Sequence, residues 1–235
     1  VGLRFEELDW RETPIGEISL RRRRDPVLDV DVFEVKLGDE YLMSSLFTVA
    51  EVELARLGLG VVSGSELDVV VGGLGLGYTA RAALEDQRVR SLLVVEGLGE
   101  VIDWHERGLL PLAAELTGDA RNRFLHGDFF ALAESEPGFD RGRTFHAILL
   151  DIDHSPQNVL DSGHTGFYTP DGLRRMAAHL HPGGVFALWS DDPPEETFTR
   201  TLAEVFDDVA AHVVSFDNHY TGGKSANTVY VGVAR

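Results

Sequence analysis

The sequence predicts an α/β fold: a seven-stranded, mostly parallel sheet with its last strand antiparallel, preceded by a small antiparallel β region. Three observations carry this. Short apolar runs at 67–71, 92–96, 123–126, 145–151 and 185–189 are each followed by a stretch with helical patterning. Strands that are apolar throughout are those buried on both faces, and alternating β and α units imply a parallel sheet covered by helices. Two further strand candidates, 209–216 and 228–233, are joined by a Gly-containing link too short for a parallel crossover, so the last strand should run antiparallel. Upstream, Ile15, Ile18 and Leu20, then Val30, Val32, Phe33, Val35 and Leu37, give near-alternating strands broken at Asp25-Pro26 and Gly38-Asp39. A helix over 48–57 follows, with Val49, Val52, Leu54, Ala55 and Leu57 on one broad face. The organisation expected is an N-terminal β region over 1–47 and an α/β domain over 48–235.

Composition narrows the function classes. The chain has 235 residues, 43% hydrophobic and 26% charged, and no apolar run reaches the roughly 20 residues that cross a bilayer, so no membrane span is expected. Lys and Arg number 21 against 39 Asp and Glu, a net charge of −18 that disfavours nucleic acid as a partner and favours cationic or neutral substrates. The absence of cysteine excludes disulfides, thiolate metal sites and thiol nucleophiles. The opening Val-Gly-Leu-Arg-Phe-Glu-Glu lacks the apolar core of a signal peptide, and a cytoplasmic location is the expectation. Arg21, Arg22, Arg23 and Arg24 are followed by acidic residues and read as a solvated hairpin tip rather than an anion site.

The clearest chemical signal is VVVGGLGLGYTARAAL, a strand, then Gly72, Gly73, Gly75 and Gly77, then a helix. A glycine-rich turn of this kind lets the backbone approach a ligand and aims a helix N-terminus at it. A dinucleotide fingerprint beginning at Gly73 requires glycine at position 78, which is Tyr78. The looser G-x-G-x-G of S-adenosylmethionine (AdoMet) enzymes fits Gly73, Gly75 and Gly77, and a Rossmann-like AdoMet-methyltransferase fold is the expectation. Glu96, about 20 residues beyond the glycines at a strand end, is suited to both ribose hydroxyls. Asp128 either takes an adenine amino group, with Phe129 on the ring, or caps the helix that starts there.

Asp151 ends the fourth apolar run, and Asp153 and His154 open the following loop. Carboxylates beyond the carboxyl ends of parallel strands can attract a cationic amine and remove its proton. The same loop is weak as a metal site, and no metal is expected. His164, Phe167 and Tyr168 precede a helix capped near Thr169-Pro170 and are placed to roof an acceptor pocket. Asp192-Pro193-Pro194-Glu195 reads as a helix start, with Asp192 as cap, and Tyr220 to Ser225 as a hairpin. His105, His126, His146, His179, His181 and His212 read as structural.

Taken in order, TPIGEISL, GDEYLMSS, GGLGLGYTARAAL, VVEGLGEVI, GDFF, AILLDIDHSP and FYTPDGLRRMAAHLHPGGVFALWS resemble the spermidine synthase (polyamine aminopropyltransferase) family, within the AdoMet-dependent methyltransferase superfamily, over almost the whole chain. The resemblance implies decarboxylated AdoMet or AdoMet over the glycine loop, with Glu96 on the ribose and Asp128 and Phe129 at the adenine. It implies Asp151 as the base for the attacking amine; from the loop itself Asp153 is the second catalytic candidate, and His154 and Tyr168 are candidates for contact with the acceptor. The reaction implied is aminopropyl transfer to an amine, a polyamine among the candidates, by a homodimer. The N-terminal sheet, with unpaired edges and Val30, Val32 and Val35 on one face, is expected to pack against the second subunit. Gly75 stands where the family's GGGDGG loop carries aspartate, and His154 where a second acid is usual. Leu42, Met43, Ser44 and Ser45 stand where Tyr and acidic or amide residues follow the D-E-[FY] of the N-terminal sheet. A small-molecule AdoMet-dependent methyltransferase and a non-catalytic nucleoside-binding homologue are the alternatives.

Overall fold

Alternating burial organises the N-terminal region into an antiparallel meander, β1 (Phe5–Thr13), β2 (Gly16–Arg24), β3 (Asp31–Leu37) and β4 (Glu40–Ser44), in that spatial order. The computed structural model describes residues 5–13 and 15–235, so part of the N-terminal segment compared with signal peptides lies outside the described residues. Arg21 to Arg24 lie along β2 rather than at a hairpin tip. Arg21 and Arg23 pair with Glu34, Arg22 with Glu6, and Arg24 with Asp29 and Asp31. Val32 and Val35 are buried within this chain, so of the three valines that would face a second subunit only Val30 is exposed.

Helix α1 (Val49–Gly60), longer than the periodicity suggests, leads into the second sheet. Its strands are β5 (Leu67–Gly72), β6 (Val89–Glu96), β7 (Asn122–His126), β8 (Phe145–Leu150), β9 (Leu180–Ser190), β10 (Phe206–Asn218) and β11 (Gly223–Ala234). The spatial order is β10-β11-β9-β8-β5-β6-β7, and β11 runs antiparallel to both its neighbours, as the short link requires. Successive residues of the parallel strands serve opposite layers. Val69 and Val71 of β5 join a core with α1, α2 (Tyr78–Glu85), α3 (Gly99–Glu106) and α4 (Ala113–Gly118). Val70 joins a second core with α5 (Phe129–Glu134), α6 (Pro170–Ala177) and α7 (Glu196–Ala203). Ile18, Leu20 and Val35 of the meander belong to the first core, and Trp104 Nε1 of α3 donates to Asp9 Oδ2 of β1 at 2.7 Å.

Two capping expectations part company here. Thr169 caps α6 by accepting from the Gly172 amide, with Pro170 at the first helical position. Helix α7, however, starts at Glu196, after both prolines, and its cap residue Glu195 makes no side-chain cap bond. Glu195 instead accepts from Gln157, and Asp192, the expected cap, lies ahead of both prolines and outside the helix start. No helix among the described residues is long and apolar enough to cross a membrane.

Candidate functional site

The chain crosses from β5 to β6 and β7 on one side and to β8 and β9 on the other, which opens a crevice at the carboxyl ends of β5 and β8. The glycine turn lines it. Gly73 has φ +93°, and a Cβ there would lie 2.0 Å from the Asp151 carbonyl oxygen, so no other residue lets the two strand ends approach this closely. Gly75, at φ +49°, has Met43 Sδ 3.1 Å from where its Cβ would be. Gly72 plays a different part from the ligand contact expected of it: it is the buried end of β5, and a Cβ would meet Phe129 at 2.6 Å. It serves the site through Phe129, whose nearly buried ring reaches the cavity wall.

Glu96 clamps the turn from the neighbouring strand. Its Oε2 accepts from the Leu74 amide at 2.9 Å and, at 3.5 Å, from that of Gly75, while Oε1 accepts from Leu98 N at 2.8 Å. Burial raises its pKa, and these backbone N–H groups oppose that by favouring the charge. Behind the turn, buried His105 donates from Nε2 to the Gly75 carbonyl at 2.9 Å, and burial lowers its pKa, which keeps the ring neutral. Asp128 is the N-cap of α5, with Oδ1 accepting from Phe130 N and Ala131 N, and it also lines the cavity. Capping uses one oxygen, so it does not exclude a ligand contact at the other.

The loop after β8 separates its two aspartates. Asp151 lines the cavity, and its Oδ2 accepts from Thr79 Oγ1 at 2.7 Å. Burial pushes it up to about 6, against the pull of the Thr79 hydroxyl. Glu51, on the first turn of α1, lines the same cavity and is pushed up to about 8 by burial and then by the Asp151 charge. Asp153 is 1% exposed and fully engaged: Oδ1 accepts from Leu160 N at 2.8 Å and His164 Nδ1 at 2.9 Å, and Oδ2 from Tyr168 Oη at 2.7 Å. It is the post around which residues 160–168 fold, not a group open to a reactant, which corrects the catalytic expectation. Tyr168 is corrected with it, since its ring lies in the second core and its hydroxyl is spent on Asp153. His164 does reach the cavity, stacked on Phe130 with ring centroids 3.8 Å apart. His154 also lines it, 3.4 Å from Glu40 across the mouth.

These residues surround one cavity of about 1150 Å³, roofed by β4 and bounded on its far side by the β10–β11 hairpin. That is at or above the roughly 300–1,000 Å³ of a pocket for one small molecule, and leaves room for two substrates. Seven carboxylates line it, those of Glu40, Glu51, Glu96, Asp128, Asp151, Asp161 and Asp191, and no lysine or arginine among the described residues does. Its field therefore favours cations. No group of three His, Asp or Glu among the described residues is arranged to hold a metal ion. Glu51, Thr79 and Asp191 are site residues that sequence reasoning missed. For Glu51 a signal existed, because it shares a helical face with Ala55 and Gly58, both buried, where a carboxylate needs a reason.

No family model and no curated protein sequence matches the chain. Its fold is spermidine synthase-like. The chain is similar to the crystal structure of spermidine synthase from Thermotoga maritima, with a TM-score of 0.72 at 16% identity, covering 97% of this chain and 72% of that one. It is similar to a spermidine synthase in complex with the transition-state analogue AdoDATO, with a TM-score of 0.71 at 16% identity and the same coverage.

Proposed function

We propose that the protein is a transferase that binds AdoMet or decarboxylated AdoMet and alkylates a small-molecule amine, with aminopropyl transfer as the first reading. The observation that carries it is the cavity itself: seven carboxylates and, among the described residues, no lysine or arginine around a glycine turn, with Asp151 on its wall. Both partners of such a reaction are cations, a sulfonium and an ammonium. The fold's likeness to spermidine synthases, one of them bound to AdoDATO, supports the same chemistry.

In this reading the glycine turn and Glu96 hold the ribose, and Asp128 and Phe129 hold the adenine. Asp151 orients the acceptor nitrogen and takes its proton, because a protonated amine has no lone pair with which to attack the carbon beside the sulfonium. A base buried enough to stand near 6 is matched to this task close to neutral pH. Thr79 fixes one Asp151 oxygen and leaves the other for the amine.

Methyl transfer from AdoMet is the second reading, favoured by Met43 against Gly75, which puts a thioether rather than a carboxylate at that corner. Calorimetry with both nucleosides separates the two. Tighter binding of decarboxylated AdoMet is the result expected for aminopropyl transfer. Tighter binding of AdoMet overturns that reading in favour of methyl transfer, and binding of neither overturns both.

A further inference from the structure

Most buried carboxylates of this chain have a partner. Glu34 has Arg21 and Arg23, Asp68 has Arg90 and Arg143, and Asp153 has three donors. Glu51 and Asp151, both partly buried, are poorer in donors, Asp151 having the Thr79 hydroxyl. They come from α1 and from the end of β8, line the same cavity, and neither forms an ion pair with a described arginine or lysine. Thr79 links the Asp151 carboxylate to the Glu51 backbone, its Oγ1 2.7 Å from Asp151 Oδ2 and 3.3 Å from the Glu51 carbonyl oxygen. The Glu51 carboxylate itself has only its own backbone N–H as a donor.

We infer that Glu51 and Asp151 act as one acidic unit, which captures the cationic nitrogen of the acceptor and holds between them the proton that it gives up. This rests on the amine-alkylation reading above. Two like charges in one partly buried site favour retention of a proton, so near neutral pH the pair carries about one charge rather than two. The Asp151 charge adds to burial in raising Glu51, in agreement with this, while Asp151 itself is raised by burial.

Other charges near the pair are engaged elsewhere. On α2, Arg81 lies 3.0 Å from Glu85, and the Tyr78 phenol is raised by burial, with Glu51 adding to it. On α1, Arg56 pairs with Glu53 at 3.2 Å. Beyond β9, Asp191 accepts from Asn227, and His154 faces Glu40. None supplies a positive charge to Glu51 or Asp151, which leaves that place to a ligand.

An arriving ammonium stabilises the doubly ionised pair and expels the retained proton. The ammonium's own proton then passes to the pair, and the freed lone pair forms the nitrogen–carbon bond as the carbon–sulfur bond breaks. The bonding electrons go to sulfur, which leaves as a neutral thioether, and the proton leaves the pair for water.

The test is calorimetry of 1,4-diaminobutane binding to the protein filled with 5′-methylthioadenosine, near neutral pH in two buffers of different ionisation heat. For the unmodified protein the expected result is proton release on diamine binding. For Glu51→Gln, the release should vanish and diamine affinity fall about 10- to 100-fold, the loss of one charge-assisted contact, with 5′-methylthioadenosine binding unchanged as the control for folding. Asp151→Asn should abolish the release equally. Diamine binding and proton release in Glu51→Gln equal to those of the unmodified protein would overturn the pair while leaving the alkylation reading standing. Absence of diamine binding to the unmodified protein would overturn both.

Discussion

The two ends of the cavity use acidic residues in opposite ways. At the glycine-turn end, Glu96 and Asp128 accept from backbone amides, so their charges are tied to local structure and their positions are set by it. At the other end, Asp151 has one hydroxyl partner and Glu51 its own amide, and both are held well above their usual range by burial. A carboxylate satisfied by fixed donors is suited to orienting a neutral group. One left short of donors is suited to meeting a cation and exchanging a proton. Asp153, two residues from Asp151, shows how local the difference is, since three donors turn the same side chain into a loop anchor.

The largest effect should come from Asp151→Asn. General-base assistance is worth about 100- to 10,000-fold, so transfer to an amine should slow by that factor while nucleoside affinity stays nearly constant. Equal losses in rate and in nucleoside binding, measured by single-turnover kinetics beside calorimetry, would erase the division between the two ends. Next, Glu96→Ala should weaken nucleoside binding about 10- to 100-fold, equivalent to about 1.5 to 3 kcal/mol. An unchanged dissociation constant would show that Glu96 serves only the turn. Asp153→Asn sharpens the contrast within one loop. Its amide would face three donors, and a stability loss of about 1 to 3 kcal/mol is expected in denaturant titration. A rate loss exceeding that of Asp151→Asn would exchange their roles.

The remaining prediction concerns pH. Folding raises Glu51 from 4.5 to about 8, so between these values the native state binds more protons than the unfolded chain. Stability relative to Glu51→Gln should therefore fall as pH rises through this window and level off above it. Denaturant titrations of both proteins at about pH 5 and about pH 8 measure it, and a constant difference would place Glu51 in contact with solvent.

The glycine-turn end was legible in the sequence because its constraints are local. Gly73, Gly75 and Gly77 are spaced within one turn, and Glu96 closes the next strand of the same β-α-β unit. The mostly parallel sheet with its reversed last strand followed from equally local facts, the apolar runs and the short link before β11. The acidic end was half legible. Asp151 was visible at a strand end, but its neighbours Thr79 and Glu51 lie 72 and, by subtraction, 100 positions away, and only folding brings them together. Tyr168 was misread because an aromatic residue before a helix suits a roof or a core equally, and its partner Asp153 decided between them. Val32 and Val35 were assigned to a partner's face because alternation shows which side of a strand is apolar but not what covers it.

The central claim is that a nucleoside held at one end is attacked by an amine prepared at the other. Mass spectrometry of the protein incubated with 1,4-diaminobutane and, separately, decarboxylated AdoMet or AdoMet tests it most directly. The predicted result is an aminopropylated diamine together with 5′-methylthioadenosine from the first donor. Bound nucleoside with no alkylated amine from either donor would contradict the account.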